Sequence, residues 1–353
     1  MSTLKKFAGQ TAVYGVSTIA SRILNFFLTP IYTKVYPKAV YGIFTEMYSY
    51  ASILNAVLSF GMETTFFRYI NKKEGQKDII YNNTFIVVAF LSLLFLISTL
   101  LFIDPISVWV HDGKSTLIAD YKTYIKYFIV ILVIDALSVV PFAKLRAEGK
   151  PGRYSLLKLI NILTFIGLNL VFIFVIPYII KNNLAFADAF KSWYRYQWIG
   201  YVFISNLVAS LLTLILLSPE LLKLKLKIDQ KLLVEMFSYS WPVLVANLSF
   251  IVNENIDKIF LSHLLPADIA AAQVGIYGAC CKIAVFLSIF IMAFRLGAEP
   301  FFFSHSKNEN APQTYAMITK YFVIFGSLIL LGVIVFADLL KFLLLDDKSY
   351  WEA

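Results

Sequence analysis

The sequence predicts an all-α polytopic membrane protein with about nine transmembrane helices, and three observations predict it. Of the 353 residues, 59% are hydrophobic and only 15% charged, which leaves too little polar surface for a soluble chain of this length. Apolar runs of about 20 residues recur from one end to the other, and a helix of that length spans the hydrocarbon core of a bilayer. The short alternating segments of a β-barrel do not occur. The formal charge of +9 does not point to nucleic acid, because no basic domain interleaved with aromatic residues accompanies it. The positive residues sit between the apolar runs, where they set orientation in the membrane.

The elements follow in order. A short basic N-terminus, MSTLKK, precedes a first span from about Gly9 to Thr33. Arg22 stands at its middle, so this is a retained span and not a cleaved leader. Thr11, Tyr14, Thr18, Arg22, Asn25 and Thr29 step by three or four, which puts one polar stripe on a helix that has to face protein or water. The second span is expected over Val40–Tyr69, the third over about Asn83–Ile103, and the fourth over about Tyr121–Leu145 with a kink at Pro141. The fifth covers about Tyr154–Ile180 and carries Asn161 and Asn169; the sixth covers about Trp198–Leu217. Between Ser218 and Lys231, leucine alternates with lysine, which reads as an amphipathic linker on the membrane surface joining two halves. Spans seven to nine are expected at about Phe237–Leu265, Ala270–Phe303 and Tyr315–Phe336.

This spacing predicts a first bundle over residues 1–217, a linker over 218–235 and a partial second bundle over 236–353. Lys and Arg concentrate in the N-terminus and in the loops after the even-numbered spans, which places the N-terminus in the cytoplasm. The two halves share a drifted repeat. Gly42-Ile43-Phe44 leading to Gly61, Glu63 and Phe66-Phe67 is echoed by Gly275-Ile276-Tyr277 leading to Gly297, Glu299 and Phe301-Phe302. Transporters are commonly built from such repeats. Cys280 and Cys281 are neighbours in an apolar run and are expected as free thiols; His111, His263 and His305 show no metal-ligand spacing.

Charges at bilayer depth cost several kcal/mol each and so mark sites. Arg22 reads either as an anion contact in a hydrated cavity or as an ion-pair partner of Glu46, Glu63 or Asp135. Span seven gathers Asn253, Glu254, Asn255, Asp257 and Lys258; Glu254 and Lys258 have the i, i+4 order of an intrahelical pair, and the rest suggest cavity lining. Span eight adds Lys282, Arg295 and Glu299. Lys282 and Arg295 fall on nearly opposite faces, so Arg295 ranks first. Glu63 and Glu299, at matching repeat positions, read as structural carboxylates that pair with a neighbouring arginine. Asp135 is either a partner for Arg22 or a titrating group coupled to ions.

Several of these stretches together resemble the bacterial oligosaccharide flippases of the Wzx type, in the superfamily that also holds lipid II flippases and MATE-like multidrug exporters. They are the Arg22 span with Thr29-Pro30-Ile31-Tyr32-Thr33 and Tyr41-Gly42-Ile43-Phe44, and the Gly61-Met62-Glu63 to Arg68-Tyr69 helix end. Leu145-Arg146-Ala147-Glu148-Gly149, Tyr154-Ser155 and Ile256-Asp257-Lys258 complete the set. The resemblance implies two bundles of six helices around a central cavity. It also implies alternating-access movement of an undecaprenyl-diphosphate-linked oligosaccharide from the cytoplasmic to the periplasmic leaflet of the bacterial inner membrane. The diphosphate would fall to Arg22 and Arg295, with Lys258, Lys282 and Asn255 beside them. Asp135, Glu254 and Asp257 would couple transport to H⁺ or Na⁺; no cofactor, metal or catalytic residue is implied. Implied partners are membrane lipids, a polysaccharide polymerase and a chain-length regulator, and no nucleic acid. Relatives of this kind have more spans than the nine expected here, so a C-terminally truncated chain is expected. A cation-coupled multidrug exporter of the same fold is the alternative. A membrane glycosyltransferase or polymerase would need a longer extramembrane loop than any expected here.

Overall fold

Glycine, proline and the apolar runs set the helix boundaries. The computed structural model describes residues 24, 26–73, 75–114, 116–225, 227–305, 311–345 and 350, and every regular element among them is helical. In chain order they are α1 (Leu28–Val35), α2 (Lys38–Ser59), α3 (Met62–Lys72), α4 (Lys77–Leu101), α5 (Ile103–His111), α6 (Ile118–Ala147) and α7 (Pro151–Leu170). A π-helical turn, Val171–Val175, carries α7 into α8 (Ile176–Lys181). Then come α9 (Ala187–Lys191), α10 (Gly200–Leu216), α11 (Ser218–Leu221), α12 (Gln230–Leu264), α13 (Ala267–His305), α14 (Ala311–Val335) and α15 (Ala337–Leu344). Among the described residues, four helical stretches are long and apolar enough to cross a membrane: Lys77–Leu101, Ile118–Ala147, Pro151–Lys181 and Pro312–Val335.

Two expectations are corrected. The stretch Val40–Tyr69 is not one helix. It breaks at Phe60 and Gly61, whose φ angles of +48° and +64° are left-handed, a conformation that Gly61 adopts at no steric cost. A Cβ on Gly61 would also lie 2.9 Å from the Ser240 carbonyl oxygen. Second, the loop expected over Asp104–Asp120 begins with a helix, α5. In the Leu/Lys stretch after span six, the residues described between the single turn of α11 and the start of α12 are not helical. Strict alternation has a period of two, which fits an extended chain and not a helix. Asn82 and Asn83 of α4 hold this segment: Asn82 Oδ1 accepts from Lys225 N, and Asn83 exchanges two hydrogen bonds with the Asp229 backbone. Asp229 then caps α12 by accepting from Leu232 N at 3.0 Å.

The π turn has a local cause. Pro177 has no N–H to give to the carbonyl four residues back, and its ring crowds that carbonyl, so the preceding turn widens.

By contact the chain groups into two compact units, Lys38–Gly275 and Met1–Pro37 with Ile276–Ala353. In the second, α15 packs on α1 and α14, and Cys280 and Cys281 are half-buried and not joined in a disulfide. In the first, α6 is the central helix: α2, α3, α4, α5, α7 and α10 all pack against it. An apolar core of Phe60, Met62, Phe66, Val88, Leu132, Ala136, Val140, Met236 and Leu244 fills the space between α2, α3, α4, α6 and α12. The outer face of α4 stays apolar and exposed at Phe90, Leu93, Leu94 and Ile97, as a lipid-facing surface requires.

Two polar clasps and one close crossing fix α12 and the start of α13 to α2 and α3. Where α2 begins and α12 ends, Asp112 (φ +44°) and Gly113 (φ +71°) turn the chain after α5 back on itself. The turn drives Lys114 into the bundle, where it is 3% exposed. Its ammonium donates to both oxygens of Glu46 (2.9 and 3.1 Å) and to the Val110 carbonyl (2.8 Å), and Ser262 on α12 donates to Glu46 Oε1. All three ammonium protons are thereby placed. Beside this pair, His263 stacks on Trp109 at 4.8 Å. One ring nitrogen of His263 meets the Asp112 carboxylate at 2.8 Å and the other meets the Tyr50 hydroxyl at 2.7 Å. A carboxylate only accepts, so Nδ1 carries a proton; in the neutral ring Tyr50 then donates to Nε2. At the opposite end, Lys72 and Lys73 pair with Glu235, Tyr69 donates to the Glu235 carbonyl, and Arg68 covers the Tyr239 ring. The Lys73 hydrogen bond holds the Glu235 carboxyl below its usual range.

The crossing joins the repeated motif to itself. A Cβ on Gly42 would lie 1.7 Å from the Ala271 carbonyl oxygen and 3.1 Å from Gly275 N, and a Cβ on Gly275 would lie 2.2 Å from the Lys38 carbonyl oxygen. The glycines of the two Gly-Ile-aromatic motifs therefore meet backbone to backbone, the contact that small residues allow between helices in lipid.

Two predictions follow from these contacts. Gly275→Leu should destabilise the detergent-solubilised protein by about 3 kcal/mol, the upper end for overpacking, seen as a lower melting temperature; an unchanged melting curve would refute the backbone contact. Lys114→Met should cost about 3–5 kcal/mol, since it strands a buried carboxylate, whereas the double change Glu46→Met, Lys114→Met should recover most of that loss. A double variant as unstable as the single one would show that the pair is not what holds this end.

Candidate functional site

Three of the helices in Lys38–Gly275 carry polar residues at helical spacing, and the three stripes face one another. On α6 they are Asp135, Ser138 and Arg146, with the apolar Phe142 on the same face; on α7, Tyr154, Lys158 and Asn161; on α10, Asn206, Ser210 and Thr213. With Asn55 of α2 and Glu63 of α3 they enclose a cavity of about 300 Å³. The steps of three and four residues put each set on one face of its helix, so the polar groups turn inward and leave the apolar faces outward.

The lining is only partly satisfied by its own bonds. Asn161 donates to Thr213 Oγ1 at 2.9 Å, and Asn206 donates to the Tyr48 hydroxyl at 2.9 Å. Ser138 and Thr213 return their hydroxyls to the carbonyls of Ile134 and Ala209 in their own helices. Asn55 Oδ1 is buried and accepts no hydrogen bond from the described residues, so it is left for whatever fills the cavity. Glu63 and Arg146 form an ion pair at one end, with the guanidinium also 4.8 Å from the Phe67 ring. Deeper in, Asp135 faces Ser210 and Lys158. Among the described residues, no carboxylate oxygen comes within 4.0 Å of the Lys158 ammonium. It sits instead over the Phe142 ring, 4.3 Å from its centre. Among the described residues the lining holds two carboxylates and two cationic side chains, which sum to a formal charge of zero.

The structure distributes the sequence-derived candidates unevenly. Asp135 and Glu63 share this cavity. Arg22 lies outside the described residues, and the side chains of Arg295 and Glu299, on α13, do too. Lys282 is half-buried on α13. Glu254, Asn255, Asp257 and Lys258 fall within five residues of α12 and do not line the cavity. The expected Glu254–Lys258 ion pair is corrected: Lys258 Nζ donates to the Glu254 carbonyl at 2.8 Å and to the Asp257 carboxylate at 2.9 Å. The Lys258 side chain is largely buried, which favours nearby helix acceptors, while Glu254 is exposed and solvated. Asn255 donates to the Ile251 carbonyl of its own helix. Glu46 is taken by Lys114.

Sequence reasoning missed Lys158 and Arg146. Lys158 stands seven residues into α7, about 10 Å from its start, where a lysine is ordinarily read as snorkelling to the interface. The signal that could have found it is the polar i, i+4, i+7 stripe it shares with Tyr154 and Asn161.

Comparison with known proteins agrees with this architecture. A solved structure described as the inward-facing conformation of a multidrug resistance MATE family transporter of the MOP superfamily is similar, with a TM-score of 0.66 and 15% sequence identity. The match covers 96% of this chain and 73% of that one. At that identity the likeness is one of fold, and the fold here is MATE-like. None of the curated proteins matches the chain. The family model described as "Polysaccharide biosynthesis protein" matches residues 7–305. With that match over most of its length and the fold of a multi-pass transporter, the chain belongs to the polysaccharide biosynthesis protein family.

Proposed function

We propose that this protein is a flippase that moves an undecaprenyl-diphosphate-linked oligosaccharide from the cytoplasmic to the periplasmic leaflet of a bacterial inner membrane by alternating access. The observation that carries the reading is the family match over residues 7–305. The transporter fold supports movement without chemistry on the cargo. A diphosphate cannot cross hydrocarbon with its hydration intact. Basic side chains at bilayer depth replace that hydration, and arginine does so through paired, directional hydrogen bonds, while the polyprenyl tail stays among the acyl chains. In this reading Arg22 and Arg295 hold the diphosphate, with Lys258, Lys282 and Asn255 as weaker contacts. Residues 1–217 and 236–353 are the two moving halves, joined by 218–235, and the N-terminus is cytoplasmic.

Asp135 is the coupling carboxylate best supported by the geometry, because it lines the cavity between α6, α7 and α10, and Glu254 and Asp257 do not line that cavity. The coupling ion is H⁺ or Na⁺. A polysaccharide polymerase and a chain-length regulator would act on the delivered cargo. The second reading, export of cationic drugs, has the likeness to a multidrug transporter in its favour.

The test is surface polysaccharide export in a strain lacking its own flippase. Wild-type protein should restore export and confer no drug resistance. Arg22→Ala should abolish export while the protein still inserts; full export by that variant would remove Arg22 from the site. Drug resistance without export would overturn the flippase reading in favour of the exporter.

A further inference from the structure

We propose that Lys158 is a tethered cation that faces Asp135 within one cavity and keeps a metal ion out of it, so that this cavity exchanges protons and is closed to Na⁺. The inference rests on Asp135 being the coupling carboxylate. It names which ion that carboxylate takes.

Among the described residues, the charged and titratable groups around Asp135 are few. Glu63 comes from α3, Arg146 from α6 itself, Lys158 and Tyr154 from α7, and Tyr48 from α2. The lining residues of α10 are neutral hydroxyls and an amide. Arg146 already engages Glu63. Asp135 is therefore the carboxylate left for a bound ion, and the Lys158 ammonium already faces it from within the same 300 Å³.

A sodium ion entering this space would stand beside a fixed ammonium and exchange its water shell for one carboxylate and neutral oxygens. Two neighbouring cations share too little negative charge at membrane depth. A proton needs no coordination shell. It comes from water in the cavity, forms an O–H bond on one oxygen of Asp135, and returns to water when that bond breaks. The neutral carboxyl still has Ser210 beside it. Lys158 keeps its seat over the Phe142 ring in both states, because that seat does not depend on a carboxylate.

The test uses the full chain in detergent. Binding of radiolabelled Na⁺ to the wild type should be no greater than to Asp135→Asn, and replacing choline by Na⁺ should leave the wild-type melting temperature unchanged. Lys158→Met should open the site: Na⁺ should raise its melting temperature by about 3 °C, and Asp135→Asn in that background should abolish the rise. Where Lys158→Met does not fold, pH-difference infrared spectra of the wild type decide. They should contain a protonated-carboxyl band that Asp135→Asn removes. Wild-type Na⁺ binding lost in Asp135→Asn, a folded Lys158→Met blind to Na⁺, or a carboxyl band indifferent to Asp135→Asn would each overturn the proposal. None of these readouts requires transport, so they stand apart from the export assay that tests the flippase reading.

Discussion

A lysine and a carboxylate buried in a membrane bundle can be used in two opposite ways, and this protein uses both. Glu46 and Lys114 close on each other at 2.9 and 3.1 Å, with 1% and 3% of their surface exposed and every ammonium proton placed. Such a pair has a large cost of separation and no room for another ion. Asp135 and Lys158 face each other without closing, across a cavity of about 300 Å³ lined by hydroxyls and amides. The first arrangement holds helices and the second leaves a charge accessible. The difference lies in geometry: a left-handed turn at Asp112–Gly113 pushes Lys114 onto its partner, whereas Phe142 offers Lys158 a seat of its own.

The same logic explains why α12 is fastened so heavily. Its C-terminal end meets α2 through Ser262 and Glu46 and through His263, Tyr50 and Asp112; its N-terminal end meets α3 through Glu235 and the two lysines. Between these ends the contact is mainly apolar. In lipid, apolar helix packing supplies little driving force of its own, so close approach and hydrogen bonds decide which helices stay together. The glycine crossing at Gly42 and Gly275 supplies the close approach. That contact needs glycine on both sides, at Gly42 and at Gly275.

Helices in the membrane were legible in the sequence because hydrophobic length is a strong signal. The expected spans at Asn83–Ile103, Tyr121–Leu145 and Tyr154–Ile180 overlap described helices with ends shifted by a few residues, and so does the span at Tyr315–Phe336. The break at Phe60–Gly61 was not legible, because a single left-handed turn leaves the apolar run unbroken. The site was legible only in part. Asp135 stood out as a lone acid in an apolar run, but its companions Lys158 and Arg146 sit near helix ends, where basic residues are ordinary. Three stripes on three helices become a cavity only through packing, and one chain's sequence does not state which faces meet. The Glu254–Lys258 pair shows the reverse error: helical spacing made it plausible, and a backbone carbonyl and the adjacent Asp257 outcompeted it.

The charge balance of the cavity also bears on what cargo this family member would carry. A site for a cationic drug needs negative charge left over after internal pairing. Here Glu63 is held by Arg146, Asp135 faces Lys158, and the formal charge is zero. An incoming cation would find no surplus charge to replace its hydration, and it would meet an ammonium at close range. If Asp135 takes up a proton, the cavity gains one positive charge in Lys158. The protonated state would then attract an anion and the deprotonated state would not, a dependence opposite in sign to that of a site built for a cation.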